Sequence, residues 1–113
     1  MVWNKYFKYI RYPWPPIIYY LKGKLIKSLT GLKKIIVIEL QAEPWLPTSV
    51  SNISLEKQLE IMNLKKFQET IEYARKSGFD EFYLWGVEWW YWLKVNNHPE
   101  IWNKAKELFT SSD

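Results

Sequence analysis

Cysteine is absent from the 113 residues, so neither a disulfide framework nor a thiolate metal site can form. A single histidine, His98, cannot build a histidine cluster, which disfavours zinc chemistry and Cys- or Ser/His-based nucleophilic catalysis. His98 stands before Pro99 at a helix start and is read as part of a cap. The four glycines, at 23, 31, 78 and 86, are isolated, and no GxGxxG or Walker pattern joins a strand to the helix after it. A phosphate-binding doubly wound fold is therefore disfavoured, and no cofactor is implied. Long apolar runs are also missing: the charge-free stretch Pro13 to Leu21 contains three prolines and falls far short of the roughly 20 apolar residues that span a membrane. No transmembrane segment or signal peptide is read. Acidic residues are missing from positions 1–38, which hold eight Lys or Arg, whereas the remainder carries eight bases and twelve acids for a net charge of +4. That acid-free segment is the part a nucleic acid or an anionic membrane surface would use. Fourteen of the sixteen bases are Lys, and base and phosphate readers lean on Arg forks, so nucleic acid is not expected as a partner.

What is abundant is aromatic: eight Trp, eight Tyr and five Phe exceed the needs of a core this small. Some of these rings are expected to face a ligand or a partner. The length fits one folded unit, and 48% apolar with 25% charged residues excludes disordered and fibrous classes.

Residues Asn4 to Tyr12 alternate loosely between aromatic and basic side chains and suit a short strand, though neither parity gives a clean buried face. Pro13, Pro15 and Pro16 end it and open a helix in which Ile18, Leu21, Leu25 and Leu29 recur at steps of three and four, stopped by Gly31. IIVIELQ then reads as a strand buried on both faces, as in a parallel sheet. A long Pro- and Ser-rich loop follows. Ser54 caps a helical stretch with Leu55, Leu59 and Met62, and Asn63 caps a second whose stripe is Leu64, Phe67, Ile71 and Ala74, ending at Gly78. Glu81 to Gly86 is a third strand, GVEWWYWLKVNN a long aromatic loop, and Asn97 and Pro99 open a last helix faced by Ile101, Ala105 and Leu108.

Strand and helix thus alternate three times, at roughly 35 to 40 residues per unit, the rhythm of right-handed βαβ crossovers in a parallel sheet. In a (β/α)8 barrel, functional side chains lie at the carboxyl ends of strands and point inward. On that rule Ile36, Ile38 and Leu40 face helices, while Glu39 and Gln41 point inside. Phe82 and Leu84 likewise face helices, so that Tyr83 and Trp85 lie inside and Trp85 shares the mouth with Glu39. A carboxylate in a buried strand is costly unless paired or employed, which makes Glu39 the most informative residue. It is either a structural partner for a base on a neighbouring strand or a catalytic group. Glu43, four residues on, is expected to be more exposed. Trp45, Trp85, Glu88 and Trp89 cluster where active-site loops would be, and Trp and Tyr faces stack on the apolar faces of sugar rings while Glu, Gln and Asn bind their hydroxyls. For Trp90 and Trp92, packing is the stronger reading.

At IIVIELQAEPW the chain resembles the seventh strand of cellulase-like (β/α)8 glycoside hydrolases, whose nucleophile sits in a triplet such as Ile38-Glu39-Leu40. GFDEFYLWGVEWWYWL resembles the eighth strand of that family, with Trp85 where a Trp floors the subsite of the cleaved sugar. YIRYPWPP would end the sixth strand, with Tyr12 as the aromatic hydroxyl beside the nucleophile. The resemblance implies an α/β fold, a partial TIM barrel made of the last three βα units (strands 6 to 8), with residues 1–113 as its C-terminal fragment. It implies cleavage of O-glycosidic bonds with retention and Glu39 as nucleophile, and a carbohydrate site drawing on Tyr12, Gln41, Glu43, Trp45, Trp85, Glu88 and Trp89. The acid/base Glu of the family, expected in an Asn-Glu pair, has no counterpart in the sequence. Such a fragment needs the remaining barrel units or self-association to cover its sheet edges. A non-catalytic, barrel-derived carbohydrate-binding module with an aromatic platform is the alternative.

Overall fold

A computed structural model of the chain describes residues 2–4, 8–10, 14–46, 49 and 52–111, with backbone only at 2–4, 8–10 and 111. Two short strands, β1 (Val2–Asn4) and β2 (Lys8–Ile10), pair antiparallel with Val2 opposite Ile10 and Asn4 opposite Lys8. The single strand expected from Asn4 to Tyr12 is thus a hairpin with its own sheet. Pairing within nine residues closes a far shorter loop than joining a distant strand, and no amphipathic face selects the distant partner. Tyr12 lies outside the described residues.

Helix α1 (Pro16–Thr30) begins behind Pro15 in extended conformation and stops at Gly31, whose N–H donates to the Lys27 carbonyl at 3.0 Å. Strand β3 (Ile36–Gln41) pairs in parallel with β4 (Glu81–Trp85). Between them lie α2 (Leu55–Ile61), where Ser54 Oγ accepts from the Lys57 N–H, and α3 (Leu64–Ser77), where the Asn63 side chain accepts from the Lys66 N–H at 3.0 Å. Helices α4 (Val87–Val95) and α5 (Glu100–Ser111) complete the order.

The expected barrel fragment is therefore not what forms. The chain is a small, helix-rich mixed domain with one parallel pair of strands, and no third strand joins β3 or β4 among the described residues. Two local events account for this. The N-terminal residues pair with each other rather than beside β3. The aromatic segment expected as a loop after the last strand coils into α4 and sends Trp89, Trp90 and Leu93 into the core beside Ala42, Met62, Phe67, Ile101 and Ala105. Burying two indoles there removes more apolar surface from water than a barrel-mouth loop would.

Exposure along β3 departs from the expected alternation. Ile36 and Ile38, expected against helices, are exposed, Val37 is half-buried, and Glu39, expected inside, is exposed too. A bulge lies within this stretch: Val37 pairs with Phe82 but Leu40 with Leu84, so β3 spends one residue more than β4 between them. The extra residue leaves Ile38 and Glu39 exposed side by side and returns Leu40 to the covered face. On β4 the alternation is kept, with Phe82 and Leu84 partly covered, but Tyr83 and Trp85, expected inside, are exposed.

Helix α1 packs through the side opposite its Leu stripe. Gly23 is buried against Phe79 and Ile35, so close that a Cβ there would meet Phe79 Cε1 at 3.3 Å, and Tyr19 meets Tyr73 of α3 edge-on at 6.2 Å. Leu21, Leu25 and Leu29, expected in the core, are exposed.

Asp80 ties α1, β3 and β4 together. Its Oδ2 accepts from the Ile35 N–H at 2.7 Å and from Lys27 Nζ at 2.8 Å, while its own N–H donates to the Ile35 carbonyl at 2.9 Å. The Ile35 N–H first and Lys27 second hold the Asp80 carboxyl below its ordinary 3.8. A depressed folded-state value means that the stabilisation is present above pH 3.8 and is lost as pH falls through the lower folded value. Asp80→Asn is therefore expected to melt at a lower temperature than wild type at pH 7 and to show a flatter decline below about pH 4. Thermal melts by circular dichroism from pH 7 to 2 check this, and parallel curves for the two proteins would exclude the Asp80 clamp.

Candidate functional site

The residues that leave β3 shape an open cleft of roughly 690 Å³, within the size range of small-ligand sites. One wall is Val37, Glu39, Leu40 and Gln41 of β3 with Phe82 of β4. The opposite wall comes from α3, through Glu69, Thr70, Tyr73 and Ser77, and Tyr19 of α1 closes one side. Glu43 and Trp45 form the rim beyond the strand end.

How this rim is held follows from the core. Ala42 is fully buried; its N–H donates to the Trp85 carbonyl at 2.8 Å and its carbonyl accepts from Trp90 Nε1 at 2.8 Å. These bonds fix the chain direction where β3 becomes loop, and Gln41 Nε2 donates to the Glu43 carbonyl at 3.3 Å. Gly86, with φ +134, makes the approach possible, because a Cβ there would lie 2.8 Å from Trp90 Nε1 and 3.0 Å from the Glu43 Cβ. Trp45 stays exposed at the cleft rim with its ring available.

The electrostatics are acidic. Partial burial first, and the nearby charge of Glu88 second, push the Glu43 carboxyl above its ordinary 4.5, so it keeps its proton to higher pH than an exposed Glu. Burial, with Tyr19 adding to it, also raises the Tyr73 phenol, whose hydroxyl donates to the Trp14 carbonyl at 2.5 Å. Among the described residues no group of three or more His, Asp or Glu is arranged to hold a metal ion.

Of the residues singled out from sequence, Glu39, Gln41, Glu43 and Trp45 meet in this cleft. Trp85, Glu88 and Trp89 do not line it. Trp85 is paired with Gln41 but exposed, because a two-stranded sheet has no enclosed interior for it to point into. Glu88 is exposed on the first turn of α4 and reaches the site through its charge on Glu43. Trp89 is buried, its Nε1 donating to Gln58 Oε1 at 2.8 Å. Glu69, Tyr73 and Ser77 were not anticipated. Their signal is a polar stripe at strict steps of four along α3, next to the apolar stripe of Leu64, Phe67, Ile71 and Ala74.

A scan against protein-family models finds no match, and neither a search of curated proteins nor one of solved structures returns a similar chain.

Proposed function

We propose that this cleft binds carbohydrate and serves glycosidic bond cleavage, with Glu39 as the nucleophile. The observation that carries the reading is the meeting of Glu39, Gln41, Glu43 and Trp45 with Glu69 and Tyr73 on one open cleft. A sugar needs an aromatic face for its C–H surface and several hydrogen-bonding groups for its hydroxyls, and the cleft has both. Trp45 is the stacking platform, and Gln41, Glu69 and Tyr73 are the hydroxyl contacts.

In the retaining reaction the Glu39 carboxylate attacks the anomeric carbon while the glycosidic C–O bond breaks. The departing oxygen takes a proton from an acid. Glu43 is the carboxyl assigned that role, because it shares the cleft and partial burial shifts it upward from the ordinary Glu value, the direction a general acid needs. Water then attacks the anomeric carbon, releases Glu39 and gives its proton to Glu43.

The exposure of Glu39 favours a second reading, a non-catalytic carbohydrate-binding module, since a nucleophile is commonly shielded from bulk water. Both readings require Trp45. Trp45→Ala is expected to weaken binding of cello-oligosaccharides about tenfold, the loss of roughly 1–2 kcal/mol of stacked apolar area. Isothermal titration of cellohexaose into wild type and Trp45→Ala checks it, and equal affinities would remove the carbohydrate reading from this cleft.

A further inference from the structure

Helix α1 leaves one apolar side exposed. Ile17, Leu21, Leu25 and Leu29 are 51%, 55%, 58% and 76% exposed. At about 100° per residue these four span an arc of roughly 120° on one side of the helix. Together they expose apolar surface on the order of 400 Å², the size at which a patch marks an interaction site. Lys24 borders the arc on one side and Lys22 on the other, both exposed. No acid occurs on α1 or anywhere before Glu39. Lys22, Lys24 and Lys33 have no ion-pair partner among the described residues. Trp14, also exposed, precedes the helix.

We propose that α1 lies on an anionic lipid surface. Its Ile17-Leu21-Leu25-Leu29 arc enters the boundary between headgroups and acyl chains, Lys22 and Lys24 meet the lipid phosphates, and Trp14 sits at headgroup level. Charge selects this occupant. Two copies of α1 laid arc to arc would set Lys22 and Lys24 rims against each other with no acid on the helix to answer them. A nucleic acid would satisfy the lysines but leave the apolar arc in water. A lipid surface satisfies both. No helix among the described residues is long and apolar enough to cross a membrane, so the contact is interfacial. The arc lies on the far side of α1 from Tyr19, which lines the cleft, so the proposal stands independently of the carbohydrate reading.

The test is co-sedimentation of the full chain with large unilamellar vesicles of phosphatidylcholine alone or with about a third phosphatidylserine, at low and high salt. Wild type is expected to pellet with the anionic vesicles, to bind neutral ones far less, and to be released by salt. The double variant Lys22→Gln, Lys24→Gln is expected to partition about 30-fold more weakly, at roughly fivefold per lysine. Leu21→Glu with Leu25→Glu, both at exposed positions and checked by circular dichroism, is expected to abolish binding. Should that variant not fold, the lysine variant and the salt series decide. Equal binding to both vesicle types, salt-independent binding, or no loss in the lysine variant would overturn the proposal. So would an absence of vesicle binding accompanied by a dimer in sedimentation velocity, which would make a second copy the cover of the arc.

Discussion

Trp90→Ala is expected to cost about 5 kcal/mol, as much as the whole stability of a domain at the low end of the ordinary range. Three contributions lie behind the figure. Trp90 is 2% exposed, so truncation opens a cavity in the core, which for a large aromatic costs roughly 3–5 kcal/mol. Its edge-on contact with Phe67, at 5.6 Å and 86°, is worth about 1 kcal/mol beyond burial. Its Nε1 is the donor to the buried Ala42 carbonyl, and an unpaired carbonyl there adds roughly 1–3 kcal/mol. These terms overlap, so they do not simply add. Because Ala42 directly precedes Glu43, the same substitution frees the rim of the cleft. Urea denaturation followed by circular dichroism checks the prediction, with exposed Trp45→Ala as the comparison, expected within about 0.5 kcal/mol of wild type. Equal losses for the two variants would show that Trp90 does not hold the core.

Glu39→Gln is expected to lower turnover of aryl glycosides by at least about a thousandfold while leaving oligosaccharide affinity nearly unchanged. Gln keeps the shape and hydrogen-bonding reach of Glu but has no anionic oxygen to attack the anomeric carbon. The split between turnover and affinity separates the two functional readings. Turnover unchanged in Glu39→Gln would remove Glu39 as the nucleophile. Binding in both proteins without turnover in either would establish a binding module. Initial rates on aryl β-glycosides, with titration of cellohexaose into the same preparations, give both quantities.

The local signals in this sequence are strong where capping chemistry and periodicity agree. Ser54, Asn63 and Gly78 mark helix ends that the structure shows, and Leu64, Phe67, Ile71 and Ala74 form the covered stripe of α3. Strands β3 and β4 and their parallel pairing follow from a β-branched run and an aromatic-rich run separated by helices. Three things were not legible. The bulge in β3 has no sequence mark, yet it leaves Ile38 and Glu39 exposed side by side and breaks the alternation. The segment VEWWYWLKV is apolar around most of its circumference, so it carries no helical period; Trp89, Trp90 and Leu93 are told from Val87, Tyr91 and Val95 only by their neighbours. In α1 the Leu stripe is periodic, but Gly23 and the tyrosines allow a closer approach on the other side, and that approach decides which face packs. The site was legible in proportion: the continuous stretch from Glu39 to Trp45 stays together whatever the fold. Trp85, Glu88 and Trp89 depended on a barrel mouth that does not form.

Whether the cleft at the end of β3 holds a sugar against Trp45 is read from the indole N–H resonances of ¹⁵N-labelled protein titrated with cellohexaose. A saturable shift of the Trp45 resonance, identified by its loss in Trp45→Phe, is expected. The Trp89 and Trp90 resonances, whose protons are engaged by Gln58 and Ala42, should stay in place. No shift at Trp45, or a shift at Trp85 without one at Trp45, would contradict this placement of the sugar.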